Sequence, residues 1–190
     1  MTDQVRPSRR MQDIGVVQEG ADILTRHADP FVFPAERAEA ARVIRELSIA
    51  MDQIAAAHDF SGKGLGLAAP QIGIGRAAAT VRPAEAGTSP IVLLNPIITA
   101  RSDEVDEQYE GCLSFFDVRG AVPRSLRITV ETTTVDGATI TTVYERGLAR
   151  LVHHEIDHLD GLLYTARMRP EVSPIPVEQY RQTGHAWAYE

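Results

Sequence analysis

Two segments of the chain show the spacing of apolar residues that is typical of amphipathic helices. In the first, apolar side chains recur every three or four positions from Ala41 to Ile54, which predicts a helix over about residues 35–57. In the second, a helix is predicted from about residue 145 to 160, and it ends at Gly161, a residue type common just past a helix. Each helix therefore has an apolar face that can pack against the rest of the fold.

Between these helices the pattern changes to short β-type segments. Strands are predicted at 77–81, 91–99, 105–110 and 126–132, and the turn at Val135-Asp136-Gly137 leads into a partner strand at 138–144. Strands in the middle of the chain with helices on either side favour an α+β fold over a wound parallel sheet. The tail, residues 169–190, is rich in proline and is expected to be extended up to a last short element.

Length, composition and charge limit the classes of protein that fit. The 190 residues suit a single domain over 1–190, and 44% of them are hydrophobic. The formal net charge of −7 argues against a sequence-independent nucleic-acid binder, and no direct nucleic-acid site is evident. No apolar stretch is long enough to cross a membrane, and Met1 to Arg10 lacks the apolar region of a signal peptide. We therefore expect a cytoplasmic protein.

The chain contains a single cysteine, Cys112. It therefore excludes an intrachain disulfide and any zinc site that needs two cysteines.

The second predicted helix carries His154 and His158 four positions apart, with Glu155 between them. Residues i and i+4 project from the same side of a helix, so the two imidazoles can bind one metal ion. A glutamate beside them can move a proton to or from a water on that metal. The segment therefore predicts a catalytic metal site. His153 lies about 100° away around the helix and is expected to have a surface or packing role.

Two histidines leave a catalytic metal site short of a third protein ligand. One candidate is Cys112 as a thiolate, within the segment EGCLS at 110–114, although a lone cysteine can also be a buried apolar residue. The other candidate is a carboxylate of Glu171 or Glu178, which would indicate a zincin-like metalloprotease. Asp157 could orient a ligand histidine, pair with an arginine, or be an ordinary solvated carboxylate.

A glycine-rich segment, GLGLAAPQ at residues 64–71, precedes the cysteine segment. It contains the spacing of a dinucleotide-binding loop, but a helix and a polar turn precede it and Pro70 interrupts any helix after it, so that interpretation is weak. What remains is a backbone that can approach a ligand closely at Gly64 and Gly66, followed by Gln71, an amide donor. A buried loop in which Gln71 caps backbone groups is the alternative.

Taken together and in this order, GLGLAAPQ, EGCLS and HEIDH resemble the three signature motifs of the peptide deformylase family. The resemblance covers about residues 15–168. It implies an α+β fold with antiparallel sheets packed around a central metal-binding helix. It also implies hydrolysis that removes the formyl group from the N-terminal N-formylmethionine of newly synthesised proteins and releases formate. A non-catalytic deformylase-like binding protein is a further alternative.

The resemblance implies a role for each matching residue. It makes Cys112, His154 and His158 the ligands of one divalent metal ion, with Fe(2+) as the typical occupant and Zn, Ni or Co as others. Glu155 would take a proton from the attacking water and deliver it to the departing amine.

The resemblance also implies how the substrate is held. The side chain of Gln71 and the backbone N–H of Leu113 would stabilise the oxyanion. The backbone of Gly64, Leu65 and Gly66 would pair with the substrate peptide as an added strand. An apolar methionine pocket would be lined by Leu65, Leu113 and Leu151.

Some positions depart from the family pattern. Phe116 stands where the family usually has proline and Arg146 where it often has glycine, which leaves the size of the methionine pocket open. The tail does not resemble the family's C-terminal helix, which contacts the ribosome in some members. The expected partners are N-formylmethionyl nascent polypeptides, with the ribosome as a further candidate, and the expected state is a monomer.

Overall fold

The computed structural model describes residues 6–58, 60, 64–85 and 87–184. The turn predicted after the first helix lies partly outside them, at 59 and 61–63. Four α-helices are found in the described residues: α1 (Pro7–Asp13), α2 (Arg37–Ala57), α3 (Arg146–Leu159) and α4 (Val177–Gln182). The two long helices lie where the apolar spacing predicts them. No helix in this part of the chain is both long and apolar enough to cross a membrane.

Within the part of the chain that the structure describes, the strands form three antiparallel sheets of three strands each. The first contains β1 (Leu65–Ala68), β2 (Ala78–Arg82) and β3 (Ile91–Leu94), in that order. The second is ordered β4 (Ile97–Arg101), β7 (Arg127–Thr133) and β8 (Thr139–Glu145). The third is ordered β5 (Val105–Glu110), β6 (Val118–Ser125) and β9 (Ile175–Pro176). The α+β prediction is confirmed.

Helix α3 is enclosed by these sheets. Every residue from Ala149 to Leu159 is buried, and the helix packs against strands of all three sheets. A helix buried all round must satisfy its polar side chains internally, because none of them reaches bulk water. Three polar residues of α3, Arg150, His154 and Asp157, are bonded to the strands around them, and this enclosure builds the site described below.

Helix α2 covers the first sheet with one apolar face. The buried residues are Ala40, Val43, Leu47, Met51 and Ile54. The predicted face was correct from Leu47 onward. At its start, however, Ala41 and Ile44 are only partly buried, and Ala40 and Val43 point into the core instead.

The prediction of one strand over 91–99 was wrong. The segment forms two strands in different sheets, separated by Asn95 and Pro96. Asn95 adopts a positive φ of 47°, a conformation that asparagine tolerates better than most residues. Its side chain also bonds both backbone groups of Phe31, at 2.8 and 2.9 Å. These bonds hold the break between the two strands in place.

Three strands were missed: β1, β6 and the two-residue β9, which lies in the tail that was expected to be extended. β1 forms within the glycine-rich segment, which lacks the alternation of a half-buried strand because all four of its residues are buried. β6 contains Gly120 and Pro123, two residues that usually weaken a strand. Gly120 is needed there because a Cβ would lie 2.5 Å from the sulfur of Met168.

Candidate active site

Three side chains that the sequence singled out as metal ligands lie together in the core. A ligand atom from each of Cys112, His154 and His158 falls within 4.8 Å of the others, and all three residues are buried. Cys112 lies two residues after the end of β5. The two histidines lie on successive turns of α3, with ring centroids 5.0 Å apart. The carboxylates considered as third ligands, Glu171 and Glu178, are not part of this cluster.

The geometry of the cluster fits a single metal ion. Sγ of Cys112 and Nε2 of His158 are 3.3 Å apart, close to the roughly 3.5 Å expected for thiolate and imidazole ligands of one tetrahedral ion. Burial and the neighbouring His154 lower the pKa of His158 well below its ordinary value, which favours the neutral imidazole that binds metals. A site with one thiolate and two imidazoles suits several transition metals.

Glu110 fixes the orientation of His154. Its Oε2 atom lies 2.9 Å from Nδ1 of His154, so the other ring nitrogen, Nε2, is left to face the cluster. Burial alone would raise the pKa of Glu110, but Arg124 and His154 outweigh it and hold the pKa well below 4.5. Glu110 is therefore ionised. Burial would likewise lower the pKa of His154, but hydrogen bonds to Cys112 and Glu110 raise it above 6.5.

A network of buried ion pairs supports this contact. Arg124 bonds both oxygens of Glu110, at 2.6 and 2.9 Å, and reaches Asp157 at 2.8 Å. Arg150 lies one helical turn before His154 and bonds Oε1 of Glu110 at 2.7 Å and Asp106 at 2.6 Å. Asp157 thus pairs with arginine, one of the roles considered from the sequence. Together these pairs tie β5 and β6 to α3.

Glu155 is buried beside the cluster. Its Oε2 atom has no hydrogen-bond partner among the described residues. Burial raises its pKa from 4.5 to about 7, the range in which a carboxyl group can act as both base and acid. A Cβ on Gly66 of β1 would lie 2.1 Å from Oε1 of Glu155. Gly66 therefore leaves the space that the carboxyl group occupies.

The side-chain amide of Gln71 is held in place through its oxygen, and its nitrogen points towards the cluster. Its Oε1 atom accepts a hydrogen bond from the backbone N–H of Ala68 at 3.0 Å. Its Nε2 atom donates to Oγ of Ser114 at 3.3 Å and contacts Sγ of Cys112 at 3.6 Å. Both interpretations of Gln71 thus describe part of what it does, because the side chain caps the backbone and presents an amide donor.

A small cavity opens onto these groups. Its lining includes Gly64, Leu65, Gly66, Leu113 and Leu151, together with Phe116. Arg146, the other departure from the family pattern, is not in this lining; it begins α3 with a φ of 50°. His153 is buried and does not belong to the ligand cluster; burial lowers its pKa to about 4.

Sequence reasoning assigned no role to Glu110, Arg124, Arg150 or Ser114. For two of them the position in the sequence pointed to the site. Glu110 lies two residues before Cys112 at the end of a strand, and Arg150 lies four residues before His154, on the same side of the helix. Arg124 had no such signal, because charged residues in a strand are expected at the surface.

A buried cluster of one cysteine and two histidines, with a glutamate beside it on an enclosed helix, is typical of mononuclear metal-dependent hydrolases. The family model for polypeptide deformylases matches residues 14–173. The chain therefore belongs to the polypeptide deformylase family.

Individual relatives agree with this assignment. The chain is 36% identical over 119 residues to peptide deformylase 2 of Gloeobacter violaceus, covering 62% of this chain and 64% of the relative. It is 42% identical over 123 residues to a peptide deformylase of Roseiflexus castenholzii, covering 57% and 66%. These alignments span slightly less than two thirds of the relatives' own length.

A solved structure shows the same fold. The class I type b peptide deformylase from Acinetobacter baumannii, bound to Met-Ala-Ser, superposes with a TM-score of 0.69 at 31% identity. The match covers 80% of this chain and 96% of that one.

Proposed function

We propose that this protein is an active peptide deformylase, which hydrolyses the formyl amide of N-formylmethionine at the start of newly synthesised proteins. The observation that carries the proposal is the buried cluster of Cys112, His154 and His158 with the unpartnered carboxyl oxygen of Glu155 beside it. In the reaction, the C–N bond of the formyl amide breaks, the water oxygen bonds to the formyl carbon, and formate and a free amine result.

Cys112, His154 and His158 would hold one divalent metal ion, and Fe(2+) is the ion we propose, with Zn, Ni or Co as alternatives. When bound, the metal supplies Lewis acidity, which lowers the pKa of a coordinated water and polarises the formyl group. The contact from Glu110 to His154 holds one imidazole in a single tautomer for this purpose.

Glu155 is the proposed general base and acid. Its raised pKa lets the carboxylate accept a proton from water and then donate it to the departing amine nitrogen. Burial keeps bulk water away from this exchange, because the residue is only 2% exposed. Such proton transfer typically contributes about 10²–10⁴-fold to the rate.

Gln71 and Leu113 are the proposed donors to the oxyanion. The amide of Gln71 is fixed through Ala68 and already directs its N–H groups towards the cluster. Leu113 lines the same cavity and follows Cys112 directly, and this supports its backbone N–H as the second donor. Loss of one such donor typically costs about 10²–10³-fold in rate.

The substrate peptide would pair with the backbone of Gly64, Leu65 and Gly66. β1 is an outer strand of its sheet, so one edge can accept an added strand. The methionine side chain would enter the cavity that opens onto the site and contact its apolar lining residues Leu65, Leu113 and Leu151. We further propose a cytoplasmic monomer that acts on nascent chains, with the ribosome as a candidate partner.

Formate release under anaerobic, reducing conditions tests the proposal. Because the Acinetobacter relative binds Met-Ala-Ser, the substrate is formyl-Met-Ala-Ser and the control is acetyl-Met-Ala-Ser. With Fe(2+) or Ni(2+) bound, the protein should convert the first peptide to formate and intact Met-Ala-Ser. It should leave the acetylated peptide largely unchanged. Cleavage between amino acids, or no turnover with metal bound, contradicts the proposal.

A further inference from the structure

A groove of about 590 Å³ lies next to the active-site cavity. It runs between α1, the segment that enters β6, and the tail at β9 and α4. Phe116 lines both the groove and the active-site cavity, so the two spaces are neighbours that share this side chain as a wall. Phe116 itself is held in place by His58, which packs edge-to-face on it at 5.1 Å, and by the guanidinium of Arg119 over its ring at 4.5 Å.

Three arginines line this groove, and none of them has an ion-pair partner among the described residues: Arg6, Arg10 and Arg181. Among the described residues, eleven other arginines form ion pairs. Of the groove's two carboxylates, Asp117 already accepts hydrogen bonds from the backbone N–H and the hydroxyl of Ser8. The other is Glu178. The groove therefore has more positive charge than its own residues neutralise, within a chain whose net charge is −7.

The floor of the groove is apolar. Pro7 and Met11 of α1, Val118 at the start of β6, and Pro176 contribute to its lining. An extended peptide presents one side chain about every 3.3 Å, so a peptide with both apolar and acidic residues can contact the floor and the arginines of the groove. Guanidinium groups match carboxylates well, since each can donate two parallel hydrogen bonds.

We propose that this groove binds the part of the substrate that follows the formylmethionine, and that Arg6, Arg10 and Arg181 favour acidic side chains there. The inference rests on the proposed deformylase function and adds a preference to it. The proposal is based on the charge of the groove and on its position beside the active-site cavity, next to Phe116. The enzyme should therefore process chains with acidic residues soon after the methionine faster than chains with basic ones.

Three amidated peptides measure the preference: formyl-Met-Ala-Asp-Asp, formyl-Met-Ala-Ser-Ser and formyl-Met-Ala-Lys-Lys, each at low and high salt with the metal-loaded enzyme. We expect kcat/KM for the acidic peptide to exceed that for the basic one about tenfold at low salt, mainly through KM, because exposed ion pairs are weak individually. The difference should shrink at high salt, where such pairs are screened.

Variants assign the preference to the groove. The triple variant Arg6→Ala, Arg10→Ala, Arg181→Ala should bring the ratio of acidic to basic peptide close to one, and Arg10→Glu should shift it towards the basic peptide. Arg9→Ala is the matched control, because Arg9 lies on the same helix but pairs with Asp13 at 2.9 Å and does not line the groove. It should keep the ratio of the parent protein.

The outcomes separate this inference from the proposed function. If all three peptides are deformylated at equal rates, or the basic one fastest, the groove proposal is wrong and the deformylase function stands. If no peptide releases formate, the proposed function itself fails. The triple variant could also lose RNA binding in a filter assay while the ratio of kcat/KM for the acidic and basic peptides stays the same. In that case the arginines bind phosphate groups and the proposal is again wrong.

Discussion

Oε2 of Glu110 lies 2.9 Å from Nδ1 of His154, and this contact links the strand that leads to Cys112 with the helix that carries both histidines. Because Arg124 and Arg150 hold the same carboxylate, its position is fixed from several sides. The metal ligands therefore come from two elements whose spacing is set by buried ion pairs. Supporting contacts of this kind orient ligand side chains for a metal ion.

The first prediction concerns Cys112 as a metal ligand. Cys112→Ala should remove the thiolate and lower the metal content of anaerobically purified protein from about one ion per chain to a small fraction of that. Elemental analysis of the purified protein measures this. His153→Gln is the control and should keep its metal, because His153 lies outside the ligand cluster. Full metal content in the alanine variant would contradict the assignment.

Glu155 should act in the reaction without being needed for metal binding. Glu155→Gln keeps the shape of the side chain but cannot accept a proton, so kcat should fall by about 10²–10⁴-fold. Metal content should stay near that of the parent protein, because Glu155 is not in the ligand cluster. Steady-state formate release and elemental analysis of the same sample decide the point. A kcat within a few fold of the parent value would rule out the proposed role.

Gly66 should matter for the position of Glu155. In Gly66→Ala the new Cβ would lie 2.1 Å from Oε1 of Glu155, so the buried carboxyl group must move and kcat should drop at least tenfold. Gly75→Ala is a matched control, because a Cβ there meets no atom within 4 Å. If both variants keep the parent activity, the close approach is not needed for catalysis.

Arg150 should contribute to both stability and metal binding. Arg150→Met leaves the carboxylates of Glu110 and Asp106 with fewer partners, and breaking such a buried pair typically costs about 3 kcal/mol or more. Arg127→Met is the control, since its pair with Glu145 is largely exposed and such pairs contribute at most about 1 kcal/mol. Urea denaturation gives the free energies of unfolding, and chelator competition gives the metal affinity. Equal losses in both variants would contradict the account.

The stability of the metal-free protein should depend on pH through Glu155. Burial raises its pKa in the folded state to about 7, against 4.5 when unfolded. Between these values the folded protein holds more protons, so its stability falls as pH rises and the penalty reaches about 3 kcal/mol above pH 7.

Glu155→Gln lacks this ionisation. It should therefore gain stability relative to the parent protein as pH rises from 4.5 to 8, and differ little from it at pH 4.5. Urea denaturation of both metal-free proteins across this range measures the difference. A difference that does not change with pH would show that Glu155 ionises normally in the folded protein.

The sequence was most informative where one local pattern determines the structure. The α3 segment combines helical spacing, histidines four positions apart and a terminating glycine, so the helix, its end and two candidate ligands could all be predicted. The β7–β8 hairpin followed in the same way from alternation and turn residues. The link between these elements and Cys112 came from the family resemblance, because spacing alone left Glu171 and Glu178 as alternatives.

The rest depends on contacts between distant segments. No sequence pattern shows that Arg124 is buried, and the position of Arg150 one helical turn before His154 is only a hint, since arginines are usually exposed. Both are buried because Glu110, Asp157 and Asp106 meet them in the core. The same holds for the groove at Phe116, whose arginines come from opposite ends of the chain. Such features follow from the tertiary fold and not from sequence patterns.

The role of the cluster as a catalytic metal site can be tested by titrating the metal-free protein with Fe(2+) under anaerobic conditions, with formate release from formyl-Met-Ala-Ser as the readout. The rate should rise in proportion to added metal and reach its plateau at one ion per chain. Cys112→Ala should show no such rise. Protein that binds one ion per chain and releases no formate would show that the cluster is not the centre of a deformylase.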